Sequence, residues 1–427
     1  MVAARLTVIE WLQSILMKHT RVVLAMAACY FLFAILLNSV GTVILQAINS
    51  FAVSKAQAAS LEGFKDIPIA IVSFLVASFI PRIGYRLALL GALFLVAVMC
   101  LLTPMLGAFW ALKALFASVG CAFAIVKVTV YALIGQVTED AKGHSSLLNT
   151  IEGLFMVGVL SGYWIFAAFI GEQADSLAWL NVYYLLGALT LVTALLVVSA
   201  PMKKPHFSEE QPLKDEFVGM LKLAYQPLVL VFVLSAFLYV LIEQGVGTWL
   251  PTFNNQVLNL PVDIAVQLTS IFAASLAIGR LLAGQLLKHI HWYSLLNACL
   301  IGMAALVLLT LPMTENLQPK QVNSLFDAPL AAYLMPLIGL MMAPIYPVIN
   351  SVMLSSLDER QHAPMTGLIV VFSALGGTTG SLITGFVFEY IGGQQAFYLS
   401  LIPMCGIAIT LFLFKRRAQA QTSACAL

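Results

Sequence analysis

The sequence predicts an all-α polytopic membrane protein with twelve transmembrane helices arranged as two pseudo-symmetric six-helix bundles. Three observations carry this. The 427 residues are 61% hydrophobic and only 9% charged, where a soluble globular domain carries roughly 25% charged residues. Apolar runs long enough to cross a hydrocarbon core of ~30 Å, which takes roughly 20 helical residues each, recur twelve times. A single long hydrophilic interior segment, Met202–Lys222, divides those runs six and six.

The first six runs fall near residues 22–48, 59–80, 87–104, 109–137, 146–170 and 179–200, and the second six near 226–250, 264–287, 293–312, 329–356, 364–388 and 394–414. The expected organisation is an amphipathic N-terminal segment (1–20), an N-terminal bundle (21–201), a linker (202–224), a C-terminal bundle (225–414) and a tail (415–427). The first segment mixes Arg5, Glu10 and Lys18 with Leu and Ile at helical spacing, so it reads as an interfacial helix rather than a cleaved signal.

Lys and Arg orient the chain. With both termini in the cytoplasm, the inner loops and tails hold fifteen Lys and Arg residues, and the outer loops hold Lys55 and Lys320. The expectation is a cell membrane protein, of a bacterial inner membrane, with both ends cytoplasmic. In span 10, Pro344 and Pro347 are expected to kink or locally unwind the helix, with Asn350 one turn later. In span 7, Gly245 and Gly247 permit local unwinding beside Glu243.

A net charge of +2 gives no basis for a nucleic-acid partner. Six scattered cysteines form neither a CxxC motif nor a Cys/His cluster, so neither a metal site nor a disulfide framework is indicated. No cofactor is implied, and no nucleophile–base constellation suggests an enzyme. The absence of GxxxxGK[ST] removes ATP coupling within this chain. The implied partners are a small-molecule solute, a proton and the lipid bilayer, with the protein acting as a monomer.

Function is read from charges inside the spans, because a charge in hydrocarbon costs about 2.5–3.5 kcal/mol on insertion scales and needs a partner, water or a task. Lys127 in span 4 and Glu152 in span 5 lie at similar depth on helices joined by a short loop. Either they contact solute, with Glu152 also a proton carrier, or they form an ion pair that braces two helices. In span 2, Glu62, Lys65 and Asp66 share one face at i, i+3 and i+4. One cation there leaves one carboxylate unmatched, making Asp66 and Glu62 proton-coupling candidates; the alternative places the trio at a wet outer mouth. Glu243, Tyr239 and Trp249 of span 7 and Asn350 of span 10 are further candidates for solute binding, Trp249 serving equally as an interfacial anchor. Lys65 and Arg280 are candidates for a gating charge pair, although Arg280 can also snorkel to the interface.

Two six-helix halves around a charged linker resemble the major facilitator superfamily. Arg82-Ile-Gly84-Tyr-Arg86 between spans 2 and 3 is similar to the end of that superfamily's loop signature, with Pro81 where its acidic residue stands, and Gly284-x-Leu286-x-Lys288 echoes it in the second half. A narrower resemblance is to the fucose/galactose/glucose–proton symporter group. It rests on Asn38, Leu148-Asn149, Tyr239-Val-x-x-Glu243-x-Gly245-x-Gly247-x-Trp249, Ile278-Gly279-Arg280 and Tyr346-Pro347. The group's span-1 aspartate is here Ser39, and its span-4 glutamate falls on Ala124 or Ile125.

The resemblance implies alternating access by a secondary active transporter, with solute bound at the midplane among spans 1, 4, 7 and 10 and Asn38 among the solute ligands. It points to a sugar or sugar-like solute, while the interior charges point to an acidic sugar, a zwitterionic or anionic metabolite such as an amino acid or organic acid, or to efflux of drugs or metabolites. A non-transporting membrane sensor is the reading from a different class.

Overall fold

The computed structural model describes residues 2–138, 140–171, 176–202, 222–315, 322–354 and 361–425. The interior linker expected at 202–224 lies almost wholly outside the described residues, as do Lys320 and Arg360. Among the described residues every regular element is helical. Eleven helices are long and apolar enough to cross a membrane. The helix Lys55–Ile83, which carries Glu62, Lys65 and Asp66, joins them as the twelfth.

The helices of the first half are α1 (Val2–Asn38), α2 (Val40–Phe51), α3 (Lys55–Ile83), α4 (Tyr85–Leu106), α5 (Phe109–Val137), α6 (Ala141–Phe169) and α7 (Val182–Ser199). α1 bends at His19, whose backbone is non-helical (φ −128°, ψ 23°), which divides the N-terminal segment from the first span. That span is broken again between α1 and α2, where the Asn38 amide donates back to the Ala34 carbonyl at 2.9 Å. Such back-bonding competes with the helical ladder and bends it. Gly84 between α3 and α4 has φ 90°, a conformation that suits glycine and explains its place in the Arg82–Arg86 loop. Arg86 then reaches the carbonyl of Ala200 after α7.

The second half comprises α8 (Pro227–Gly247), α9 (Leu250–Gln256), α10 (Val262–Leu286), α11 (Trp292–Thr310), α12 (Ala331–Leu334), α13 (Ile338–Met342), α14 (Ile345–Leu354), α15 (His362–Tyr390), α16 (Gly393–Tyr398) and α17 (Leu401–Cys425). The interruption expected in span 10 is present: α13 stops at Met342 and α14 begins after Pro344. Pro347 sits in the first turn of α14, where a missing N–H breaks no helical bond. Upstream the span is interrupted again by a 3₁₀ turn, Met335–Leu337, which contains Pro336.

The unwinding expected at Gly245 and Gly247 does not occur, since α8 stays helical through Gly247. Those glycines serve packing. A β-carbon at Gly247 would lie 2.6 Å from the Phe272 ring, and one at Gly245 would lie 2.9 Å from the Thr384 hydroxyl.

Two compact units emerge from the packing. The first comprises Met1–Asn38, Pro68–Gly162 and Leu177–Glu210. In it α4 packs on α7 and α5, and α1 on α5 and α7. Gly158 of α6 lets the helix approach the Phe31 carbonyl of α1, 2.6 Å from where its β-carbon would stand.

The second unit comprises Ser39–Ile67, Tyr163–Ser176 and Gln211–Leu427. It therefore holds α2 and the Lys55 end of α3 together with α8–α17. Here α15 packs extensively on α8, and α2 on α9. The Lys55 amide donates to the Glu389 carboxylate at 2.7 Å, tying the start of α3 to the end of α15. Trp249 is fully buried, and its indole N–H donates to the Ser381 carbonyl and hydroxyl, each at 3.1 Å.

Candidate functional site

The second unit holds a buried charge network. Glu62 is fully buried and Lys65 nearly so, on the turn of α3 that enters this unit. The Lys65 ammonium donates to Glu62 Oε1 and lies 3.5 Å from Asp66 Oδ1. The trio expected from the i, i+3, i+4 spacing is thus formed, with Glu62 and Lys65 buried and Asp66 half-buried. Glu62 Oε2 accepts from the Thr248 hydroxyl at 3.2 Å, and that hydroxyl also meets Gln244 Oε1 at 2.9 Å. Both partners lie just after Glu243 on the α8 stretch, so the span-7 motif contacts span 2 through residues that sequence reading passed over. The available signal was the i, i+4 pairing of Gln244 with Thr248.

Glu243 continues the network. It accepts from the Tyr239 hydroxyl at 3.1 Å, and it interacts electrostatically with Arg280, Lys65 and Glu62. Asp66 in turn feels Lys65, Glu62 and Glu243. Three carboxylates therefore share the fields of two cations. Arg280, expected as a snorkelling or gating charge, is exposed at the wall of a cavity of about 440 Å³, which Trp292, Pro344, Pro347 and Ser351 also line. Lys65 and Arg280 both act on Glu243 through their fields, and Lys65 alone contacts Glu62 and Asp66 directly.

Tyr239 is buried and stacks on Tyr346 with ring centroids 5.4 Å apart. The Tyr346 hydroxyl meets Ser373 Oγ at 3.0 Å, and the side-chain oxygen of nearby Asn350 is buried with no hydrogen-bond partner among the described residues. An unpartnered buried carbonyl costs roughly 1–3 kcal/mol, so this oxygen is a ready acceptor. Trp249, a candidate solute platform, is enclosed instead, with its one polar atom already bonded to Ser381.

The first unit holds the other charges. Phe123, Lys127 and Tyr131 line one face of α5 at i, i+4 and i+8, and Glu152 and Phe155 share a face of α6 at i, i+3. Lys127 and Glu152 do not close as an ion pair. The Lys127 ammonium lies 5.9 Å from the centre of the Tyr131 ring, and the Tyr131 hydroxyl donates to Glu152 Oε1 at 2.9 Å. Tyr131 thus stands between the two charges, although Lys127 and Glu152 still feel each other electrostatically. The sequence signal for Tyr131 was its position one turn beyond Lys127.

Around them the rings of Tyr30, Phe123 and Phe155 form a mutual triangle with centroids 5.9–6.3 Å apart. Asn38, expected among the solute ligands, lies half-buried at the α1–α2 break with its amide spent on Ala34.

Charged side chains gathered inside the packing of a polytopic helical protein are the arrangement expected of a solute transporter. Residues 26–326 match the family model of the Major Facilitator Superfamily, and the chain belongs to that family. Over 275 residues it is 24% identical to Protein TsgA homolog of Buchnera aphidicola subsp. Acyrthosiphon pisum, a match spanning 63% of this chain and 63% of that relative's length.

Among solved structures it is similar to a bacterial homolog of the human lysosomal transporter Spinster, in an inward-facing and occupied conformation (TM-score 0.72, 15% identity, 93% of this chain and 97% of that one). The nucleoside transporter NupG matches with TM-score 0.68 and 14% identity over 92% and 98% of the two chains. The transporter FucP, in the outward conformation, gives TM-score 0.59 and 17% identity over 93% and 98%. These superpositions, at such low identity, show the shared fold alone.

Proposed function

We propose that this protein is a proton-coupled secondary active transporter moving a small polar solute across the cytoplasmic membrane by alternating access, with residues 21–201 and 225–414 as its two six-helix repeats. The observation that carries the coupling is the network of Glu62, Asp66 and Glu243 around Lys65 and Arg280. Glu62 and Asp66 together outnumber the one cation buried between them, Lys65, and a bound proton neutralises the excess at far lower cost than a buried unpaired anion. Asp66 is the residue of choice: its carboxylate lies beside Lys65 without the close hydrogen bond that Glu62 makes.

The uneven distribution of Lys and Arg between the two sets of loops supports an orientation with both termini in the cytoplasm.

The test uses purified protein screened for ligand-induced stabilisation against sugars, sugar acids and amino acids, followed by proteoliposome assays with the best hit. Asp66→Asn should lose uptake driven by a pH gradient while keeping counterflow exchange. Retained concentrative uptake would remove Asp66 from the coupling step.

A sugar-like solute is the second reading, favoured by the stacked Tyr239–Tyr346 pair and the unpartnered Asn350 oxygen in the second unit. A flat ring face beside a free acceptor suits a polyhydroxylated ring.

A further inference from the structure

The first unit carries a wall whose chemistry is more selective than a small polar solute requires. Lys127 is exposed and Glu152 half-buried, and Tyr131 holds them apart. Lys127 makes no ion pair among the described residues, and Glu152 is met by a neutral hydroxyl. Beside these charges Phe123 and Phe155 are half-buried, with Tyr30 and Phe33 fully buried behind them. Phe123 lies 6.1 Å from Phe155 and 6.0 Å from Phe33, ring centre to ring centre.

Each solute class makes a different demand on this wall once water is excluded. A neutral sugar leaves both the ammonium and the carboxylate without a counter-charge, which their desolvation penalises. A simple carboxylate matches Lys127 and strands Glu152. A simple amine does the reverse. A solute bearing both charges satisfies both sites, and an apolar ring on it would cover the open edges of Phe123 and Phe155, where aromatic pairing adds to area burial.

Resting on the transporter reading above and deepening it, we propose that the Lys127–Tyr131–Glu152 wall binds a ring-bearing zwitterion of amino-acid type, its carboxylate at Lys127, its ammonium at Glu152 and its ring against Phe123 and Phe155. Tyr131 is the positioning residue: its hydroxyl orients Glu152, and its ring keeps Lys127 from collapsing onto that carboxylate.

The experiment measures binding of L-phenylalanine, L-alanine, 3-phenyllactate, phenethylamine and glucose to the purified full chain, by ligand-induced stabilisation and equilibrium binding. Phenylalanine should bind, with each probe lacking the ring, the ammonium or the carboxylate weaker by roughly 3–10-fold or more, the size of one aromatic or charged contact. Glucose should bind least. Phe123→Leu should lower phenylalanine affinity by a similar factor and leave alanine unchanged, a split that a folding defect would not produce. Glu152→Gln should abolish the preference for phenylalanine over 3-phenyllactate.

Equal affinity for alanine and phenylalanine, equal affinity for phenyllactate and phenylalanine, or no binding of any amino-acid probe overturns the proposal. The transporter reading fails by a different result: a probe that binds but shows no gradient-driven uptake in proteoliposomes.

Discussion

The carboxylate of Asp66 occupies the space that a side chain at Gly377 would need, and Gln244 Cγ stands 3.2 Å from the same point. This contact joins the charged turn of α3 to the glycine-rich stretch of α15. Its neighbours repeat the motif: a β-carbon at Gly63 would lie 2.9 Å from the Thr378 methyl, and one at Gly385 would lie 2.8 Å from Ala59 Cβ. Glycine at these positions lets a charge-bearing helix come close to its partner without leaving a void.

Gly377→Ala should therefore displace Asp66 and loosen this packing, at about 1–3 kcal/mol for an overpacked methyl. The expected outcome is a lower melting temperature of the purified protein. A Thr248→Cys reporter, buried beside Glu62 in the parent, should label faster with a membrane-impermeant maleimide when the alanine is present. Unchanged labelling would show that Asp66 yields without opening the interface.

Removal of Lys65 should be the most damaging change in the network. Lys65→Ala leaves Glu62 and Asp66 buried side by side, and breaking a buried pair from one side costs roughly 3–5 kcal/mol. Expression and thermal stability should fall sharply. Combining it with Glu62→Gln should recover part of the loss, because one of the two stranded charges is then gone. A double variant no more stable than Lys65→Ala alone would deny the interaction.

Tyr131→Phe deletes one oxygen and keeps the ring. It should free Glu152 from its 2.9 Å hydrogen bond and raise the KM for the transported solute several-fold, with folding intact. Lys127→Ala should abolish uptake of any solute carrying a carboxylate. Normal uptake in both would return these residues to helix bracing.

Glu243→Gln should weaken solute affinity and disturb coupling, because Glu243 lies in the fields of both Lys65 and Arg280. Binding and gradient-driven uptake measured on the same preparation separate the two effects. If neither moves, Glu243 lies off the pathway.

Trp249→Phe should lower stability by about 1–3 kcal/mol through the lost indole bonds to Ser381 and the cavity left behind, without altering KM in the folded fraction. A raised KM at unchanged stability would return Trp249 to the solute path.

The sequence alone determined that this chain crosses the membrane many times, because hydropathy and run length are local properties that the bilayer reads directly. It determined equally that Glu62, Lys65 and Asp66 share a face, because helical periodicity fixes that within one turn, and that span 10 breaks at Pro344, because proline has no N–H to give. Tertiary structure decided whom those residues meet. Nothing in the order of residues placed Tyr131 between Lys127 and Glu152, brought Thr248 to Glu62, or enclosed Trp249 against Ser381. Such contacts depend on how separate helices are rotated about their axes and how closely glycines let them approach. A difference of one residue in that rotation turns a side chain by about 100°, enough to exchange a neighbour for solvent or lipid.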